Sequence, residues 1–170
     1  DNYLYYSIGW ELVAIFVVHV DDILMCAKLS FLRYAQESLE KRFGKLKKNA
    51  LPFDYLGIEH VRMAPNDVAL FQQGYLKKLK PVVLAEHVKK NLTTALSKID
   101  NTAFRSLLCS MLWLCLTRLD LISEVVLLQS EMVHPFGHHV KQLNALLTKA
   151  TTNFAMLGLH FHRLLWPLRC

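Results

Sequence analysis

The sequence predicts an α+β fold, with antiparallel β-hairpins in the first part and helices in the rest. Segments rich in Tyr, Val and Ile alternate with turn residues up to Gln72. From Gln73 onward apolar residues recur at helical spacing almost to the end. The chain has 170 residues, long enough for one domain with a sizeable core or two small subdomains. No repeats and no low-complexity segments interrupt it.

Tyr3 to Ser7 and Leu12 to Val20 read as a hairpin, because Gly9 permits a turn between two runs of strand-forming residues. Ser30 is placed to cap a helix whose apolar positions Phe31, Ala35, Leu39 and Phe43 form one face. Lys41 and Arg42 suit its last turn and Gly44 its stop. A second hairpin joins Tyr55 to Met63 with Val68 to Gln72 through the turn sequence Ala64-Pro65-Asn66-Asp67. About four antiparallel strands are expected in all. In the helical half, Pro81 interrupts the first segment, and Ala103 to Thr117, Asp120 to Val133 and His138 to Thr151 are the better helices.

Between the apolar runs of the first hairpin and the residues after it lie two adjacent carboxylates, Asp21 and Asp22. At a turn both can project from one tip, and hard oxygen ligands on a rigid turn are what Mg²⁺ requires. Asp also favours turns for its own reasons, so the plain alternative is a polar hairpin turn.

Lys and Arg total 20 against 14 Asp and Glu, a net charge of +6, which favours a polyanion over an acidic substrate as partner. Hydrophobic residues make up 53% of the chain, but the apolar runs Leu12 to Val18 and Leu107 to Leu116 are far shorter than a membrane span. No membrane partner and no signal peptide are expected. Cys26, Cys109, Cys115 and Cys170 form no CxxC pair, and three lie in apolar runs, which points to small hydrophobes in a reducing compartment. His134, His138, His139, His160 and His162 lack a Cys partner at metal spacing, so solvated imidazoles in a helix-start loop are preferred to a zinc site. The run around Trp113 reads as bundle core, and Lys77, Lys78 and Lys80 as a charged helix turn, equally a solvated face or a polyanion contact. The start at Asp1 and the end at Cys170 both read as cuts through a longer protein.

The segment His19-Val20-Asp21-Asp22-Ile23-Leu24, flanked by apolar strands, resembles the Tyr-x-Asp-Asp box of reverse transcriptases. Downstream, Leu56-Gly57-Ile58 resembles the Leu-Gly-Ile hairpin of the Ty1/copia branch, and Leu70-Phe71-Gln72-Gln73-Gly74-Tyr75 its Leu-x-Gln-x-x-Tyr continuation. Phe104-Arg105-Ser106, Ser110 to Leu114 and Thr117-Arg118-Leu119-Asp120 are similar to that family's Phe-Arg-Ser, Gly-Ser-Leu-x-Tyr-Leu and Thr-Arg-Pro-Asp segments. Order and spacing agree over residues 1–163. His19, Cys109 and Leu119 depart from the family's Tyr, Gly and Pro.

The resemblance implies the C-terminal part of a polymerase palm over 1–72, a helical thumb or connection over 73–163, and a truncated tail over 164–170. It implies RNA-directed DNA synthesis by two-metal nucleotidyl transfer, with Asp21 and Asp22 as catalytic Mg²⁺ ligands. His19 would lie near the primer terminus, and Leu56 and Gly57 in a primer-grip hairpin. Lys45, Lys47, Lys48, Arg105 and Arg118 are candidates for phosphate contact. The implied partners are an RNA template, a DNA primer and the rest of a Pol polyprotein, with its fingers, ribonuclease H and integrase. The implied setting is intracellular, in a cytoplasmic virus-like particle or the nucleus. The family's other metal-binding Asp and its fingers would precede residue 1, so the chain alone is expected to be inactive. A binding module that holds nucleic acid without turnover, or an inert α+β remnant, are the alternative classes.

Overall fold

A computed structural model describes residues 2–8, 11–65, 67–152 and 157–162. It is α+β, as the sequence predicts, with helices and antiparallel sheets. The expected tail over 164–170 lies outside the described residues. The chain forms two compact units, Asp1–Ala50 and Leu51–Cys170. The division expected after residue 72 therefore falls inside the second unit.

In the first unit, β1 (Asn2–Ile8), β2 (Glu11–His19) and β3 (Asp22–Ala27) make a three-stranded antiparallel sheet in sequence order. The register runs from Asn2↔Val18 to Ile8↔Glu11, then from Ala14↔Ala27 to His19↔Asp22. Helix α1 (Leu29–Phe43) packs on this sheet through Phe31, whose ring meets Phe16 edge-on at 6.0 Å. Side chains alternate across a strand, so the face carrying Phe16 and Met25 is the one under α1. Ser30 lies within the first turn of α1; Lys28 is the N-cap and makes no side-chain cap bond, which corrects the expected Ser30 cap. The backbone explains the shift: Lys28 N–H is already drawn onto Val13 O at 3.0 Å, and its carbonyl accepts from Leu32 N. Gly44 does stop the helix, at φ +82°, donating to Glu40 O. Among the described side chains of this unit, only Val13 and Ala14 are buried, and none of α1 is.

The second unit contains a four-stranded antiparallel sheet, β4 (Phe53–Tyr55), β5 (Ile58–Ala64), β6 (Asp67–Phe71) and β7 (Leu159–His162). The segment expected as one strand from Tyr55 to Met63 is broken at Leu56-Gly57, where both residues take positive φ, +54° and +75°. Two successive left-handed residues make the tight turn that matches strand twist, and Gly57 supplies one without steric cost. Strand β7 was not expected from sequence. It returns from the helical part and pairs with β6 from Asp67↔His162 to Leu70↔Leu159. Among the described residues, seven strands in two sheets thus replace the expected four or so.

The helices are α2 (Gln73–Leu76), α3 (Glu86–Lys90), α4 (Lys98–Leu114), α5 (Ile122–Ser130) and α6 (Gly137–Thr152), with a 3-10 turn at Leu119–Leu121. Helix α4 starts earlier than expected because Ser97 caps it, its hydroxyl accepting from Asp100 N at 3.1 Å. Phe104, Leu108, Met111 and Leu114 of α4 meet Leu121 and Val125 and, from α6, Val140 and Leu143 in one core. Each such side chain contributes about 1.5–3 kcal/mol on burial. The Pro81 segment is held onto α6 by Asn144, which accepts from Val82 N at 2.9 Å and donates to Val82 O at 2.8 Å. This satisfies a stretch of backbone that belongs to no helix or strand.

Candidate functional site at an acidic hairpin tip

Strands β2 and β3 are joined by only Val20 and Asp21. A two-residue connection needs left-handed backbone, which Gly, Asn or Asp usually supplies at its first position. Here Val20 takes it, at φ +54°, although a β-branched residue with positive φ is strained. Its side chain, 87% exposed, gains no packing in return. The strained turn puts Asp21 and Asp22, both exposed, at the tip. Asp22 is directly opposite His19, and alternation sends both to the sheet face away from α1.

The donor set fits magnesium in kind, since both groups offer hard carboxylate oxygens on a short turn. It is a partial set: among the described residues no group of three or more His, Cys, Asp or Glu gathers to hold a metal ion.

Lys45, Lys47 and Lys48 follow α1 in the same unit and are exposed. Lys48 reaches back to Glu40 at 2.8 Å, and that bond holds the Glu40 carboxyl below the usual carboxylate range. Leu56, Gly57, Arg105 and Arg118 belong to the second unit, at different places within it. Gly57 N–H donates to Asp54 Oδ1 at 2.9 Å across the β4–β5 turn. Arg105 is exposed on α4.

Arg118 is corrected. It is 3% exposed, pairs with Asp120 through Nε at 2.8 Å and Nη2 at 2.9 Å, and donates from Nη1 to Ala150 O at 2.9 Å. A guanidinium so occupied ties the turn after α4 to α6 and is closed to a phosphate. The Arg118 hydrogen bond holds the Asp120 carboxyl below its usual range.

Other expectations also change. Cys26 and Cys109 are exposed thiols rather than buried small hydrophobes, whereas Cys115 is buried and its thiol is pushed up by desolvation. His139 is not solvated: it is 8% exposed. Lys77 and Lys78 lie in the turn after α2 rather than within a helix. No described helix is long and apolar enough to cross a membrane.

Sequence reasoning missed Glu59, which accepts from Gly74 N–H at 2.6 Å and so links β5 to the start of α2. It also missed that Gln72 and Thr117 meet, and gave Val20 no role. A two-residue gap between paired strands would have flagged Val20, had the strand ends been known.

Compared with family models, curated proteins and solved structures, the chain matches none.

Proposed function

We propose that the chain is a piece of an RNA-directed DNA polymerase of the Ty1/copia retrotransposon type, and that Asp21 and Asp22 are metal-binding carboxylates of its nucleotidyl-transfer site. The observation that carries this reading is the Val20 turn. Strained backbone clusters at active sites and ligand clamps, and here the strained turn carries two exposed carboxylates with His19 beside them. The ordered motif resemblances that extend from this box into the second unit support the same reading.

Magnesium, when bound by Asp21 and Asp22, supplies charge neutralisation at the transferring phosphate. The chain's own residues hold the remaining tasks. Asp21 and Asp22 present oxygens from a short, stiff connection, so their spacing is fixed by the turn rather than by long side chains. His19, across from Asp22, lies against the primer end. Lys45, Lys47 and Arg105 offer sequence-independent, salt-sensitive contacts to backbone phosphates. Partners under this reading are a template–primer duplex and the remainder of a Pol polyprotein, in a cytoplasmic particle or the nucleus.

Two carboxylates are too few for a two-metal site, so the 170-residue chain is not expected to extend a primer. Filter binding of an RNA–DNA duplex, with primer extension in Mg²⁺ or Mn²⁺, tests this. Binding that weakens steeply with salt, without extension, fits the proposal. Extension abolished by Asp21→Asn with Asp22→Asn would show the fragment to be competent, and no binding at low salt would leave an inert remnant.

A further inference from the structure

Helix α6 begins at Gly137 with no Ser, Thr, Asp or Asn at the two positions before it. Instead the Phe136 N–H donates to Nδ1 of His139 at 3.1 Å. In a capping box a Glu or Gln side chain three residues on accepts this same N–H. An imidazole does so only while Nδ1 keeps its lone pair, which means neutral, with the proton on Nε2. The ring has little room to turn elsewhere: it is 8% exposed, and the His138 ring centroid lies 3.9 Å away.

The same short segment fastens a loop. Leu96 N donates to Pro135 O at 3.0 Å, Gly137 N to Thr94 O at 3.1 Å and His138 N to Leu92 O at 2.9 Å. Ala95 and Phe136 form an isolated bridge. His138 Nδ1 stands 3.3 Å from Leu92 O, and its ring stacks with Phe136. Backbone approach is close here: a Cβ on Gly137 would fall 2.7 Å from Val88 Cγ1 of α3.

The charges around His139 are few. Burial, then His138, hold its imidazole below the ordinary value, with Glu131 at the end of α5 pulling the other way. Residues 92–96 carry no ionisable side chain, and Glu86, His87, Lys89 and Lys90 of α3, like Lys141 of α6, are exposed. A cation at a helix N-terminus is also disfavoured by the helix dipole.

We infer that His139 is a proton-operated latch: neutral, it fastens the start of α6 to the loop over 92–96, and protonated, it releases both. This does not rest on the polymerase reading. A histidine whose folded-state pKa is depressed contributes stability that is complete above the unfolded value, about 6.5, and is lost as pH falls below it.

Amide hydrogen exchange on the full chain, corrected for intrinsic rates, tests it together with an NMR titration of the His139 ring. Protection at Phe136, Gly137 and His138 should fall on acidification, by at most about tenfold per pH unit, the slope for one proton. His139→Gln provides an acceptor that does not titrate, so its protection should be insensitive to pH over that range. Acid loss in His139→Gln equal to that of the parent chain would overturn the latch. So would a parent His139 that titrates at or above the ordinary value, a readout independent of whether the variant folds.

Discussion

The Gln72 amide at the end of β6 meets the Thr117 hydroxyl beyond α4 at 2.8 Å, and both side chains are buried. The amide is oriented so that its nitrogen donates to Thr117 Oγ1 and to Leu114 O at 3.1 Å. Its oxygen accepts from Trp113 Nε1 at 3.0 Å, the orientation in which every group has a suitable partner. The sheet and the helical core of the second unit are thus joined by a polar contact with little access to water. Thr117→Val keeps the shape and removes the hydroxyl, leaving the amide nitrogen the Trp113 and Leu114 carbonyls, at 3.3 and 3.1 Å, as its acceptors. It should destabilise the second unit by about 0.5–1.5 kcal/mol, the net value of one hydrogen bond, read as a lower urea midpoint. An unchanged midpoint would mean that the Gln72–Thr117 bond contributes nothing.

Asp120 gives the acid side of stability a definite sign. Its folded-state pKa is lowered by Arg118, so its contribution is complete above the ordinary Asp value, about 3.9, and is lost as pH falls below it. Asp120→Asn should therefore lower stability at neutral pH and flatten the acid limb, measured by urea unfolding from pH 7 to 2. A parallel downward shift at every pH would contradict the assignment.

The buried and the exposed basic candidates separate structure from binding. Arg118→Leu should cost about 1–3 kcal/mol of stability, because Ala150 O is deprived of its donor in a buried place. Lys45→Ala with Lys47→Ala should leave stability within about 0.5 kcal/mol. It should also reduce the salt slope of duplex binding by roughly one unit for each phosphate no longer neutralised. Equal effects of both changes on binding and stability would refute this division.

The strain at Val20 is testable directly. Left-handed backbone at a non-glycine residue costs about 1–3 kcal/mol, and glycine's extra unfolded-state entropy costs about 0.5–1. Val20 is exposed, so Val20→Gly sacrifices no packing and should stabilise the first unit by about 1 kcal/mol, seen as slower amide exchange in β2 and β3. Faster exchange would mean that the turn is relaxed.

What sequence revealed and what it hid follow from the range of the forces involved. The first hairpin, the Gly44 stop and the α4 core were legible because they depend on local periodicity and on single residues with strong preferences. Strand β7 was not, because Leu159–His162 becomes a strand only by pairing with β6, far away in sequence. The Leu56-Gly57 turn was hidden by a Leu in a position where Asn or Asp is usual. Arg118 looked like a phosphate ligand because a guanidinium suits either a phosphate or a carboxylate, and only the fold brings Asp120 and Ala150 O to it. At the candidate site, the adjacency of Asp21 and Asp22 was plain, whereas the strain that holds them was a backbone property.

Asp21 and Asp22 are proposed to bind a divalent cation at the hairpin tip. Titrating Mn²⁺ into the ¹⁵N-labelled chain and recording paramagnetic broadening tests this most directly, with Mg²⁺ as competitor. The prediction is weak binding that selectively broadens the amides of His19 to Ile23, is reversed by Mg²⁺, and vanishes in the Asp21→Asn, Asp22→Asn double variant. Broadening that spares the hairpin tip, or persists there in the double variant, would contradict the account.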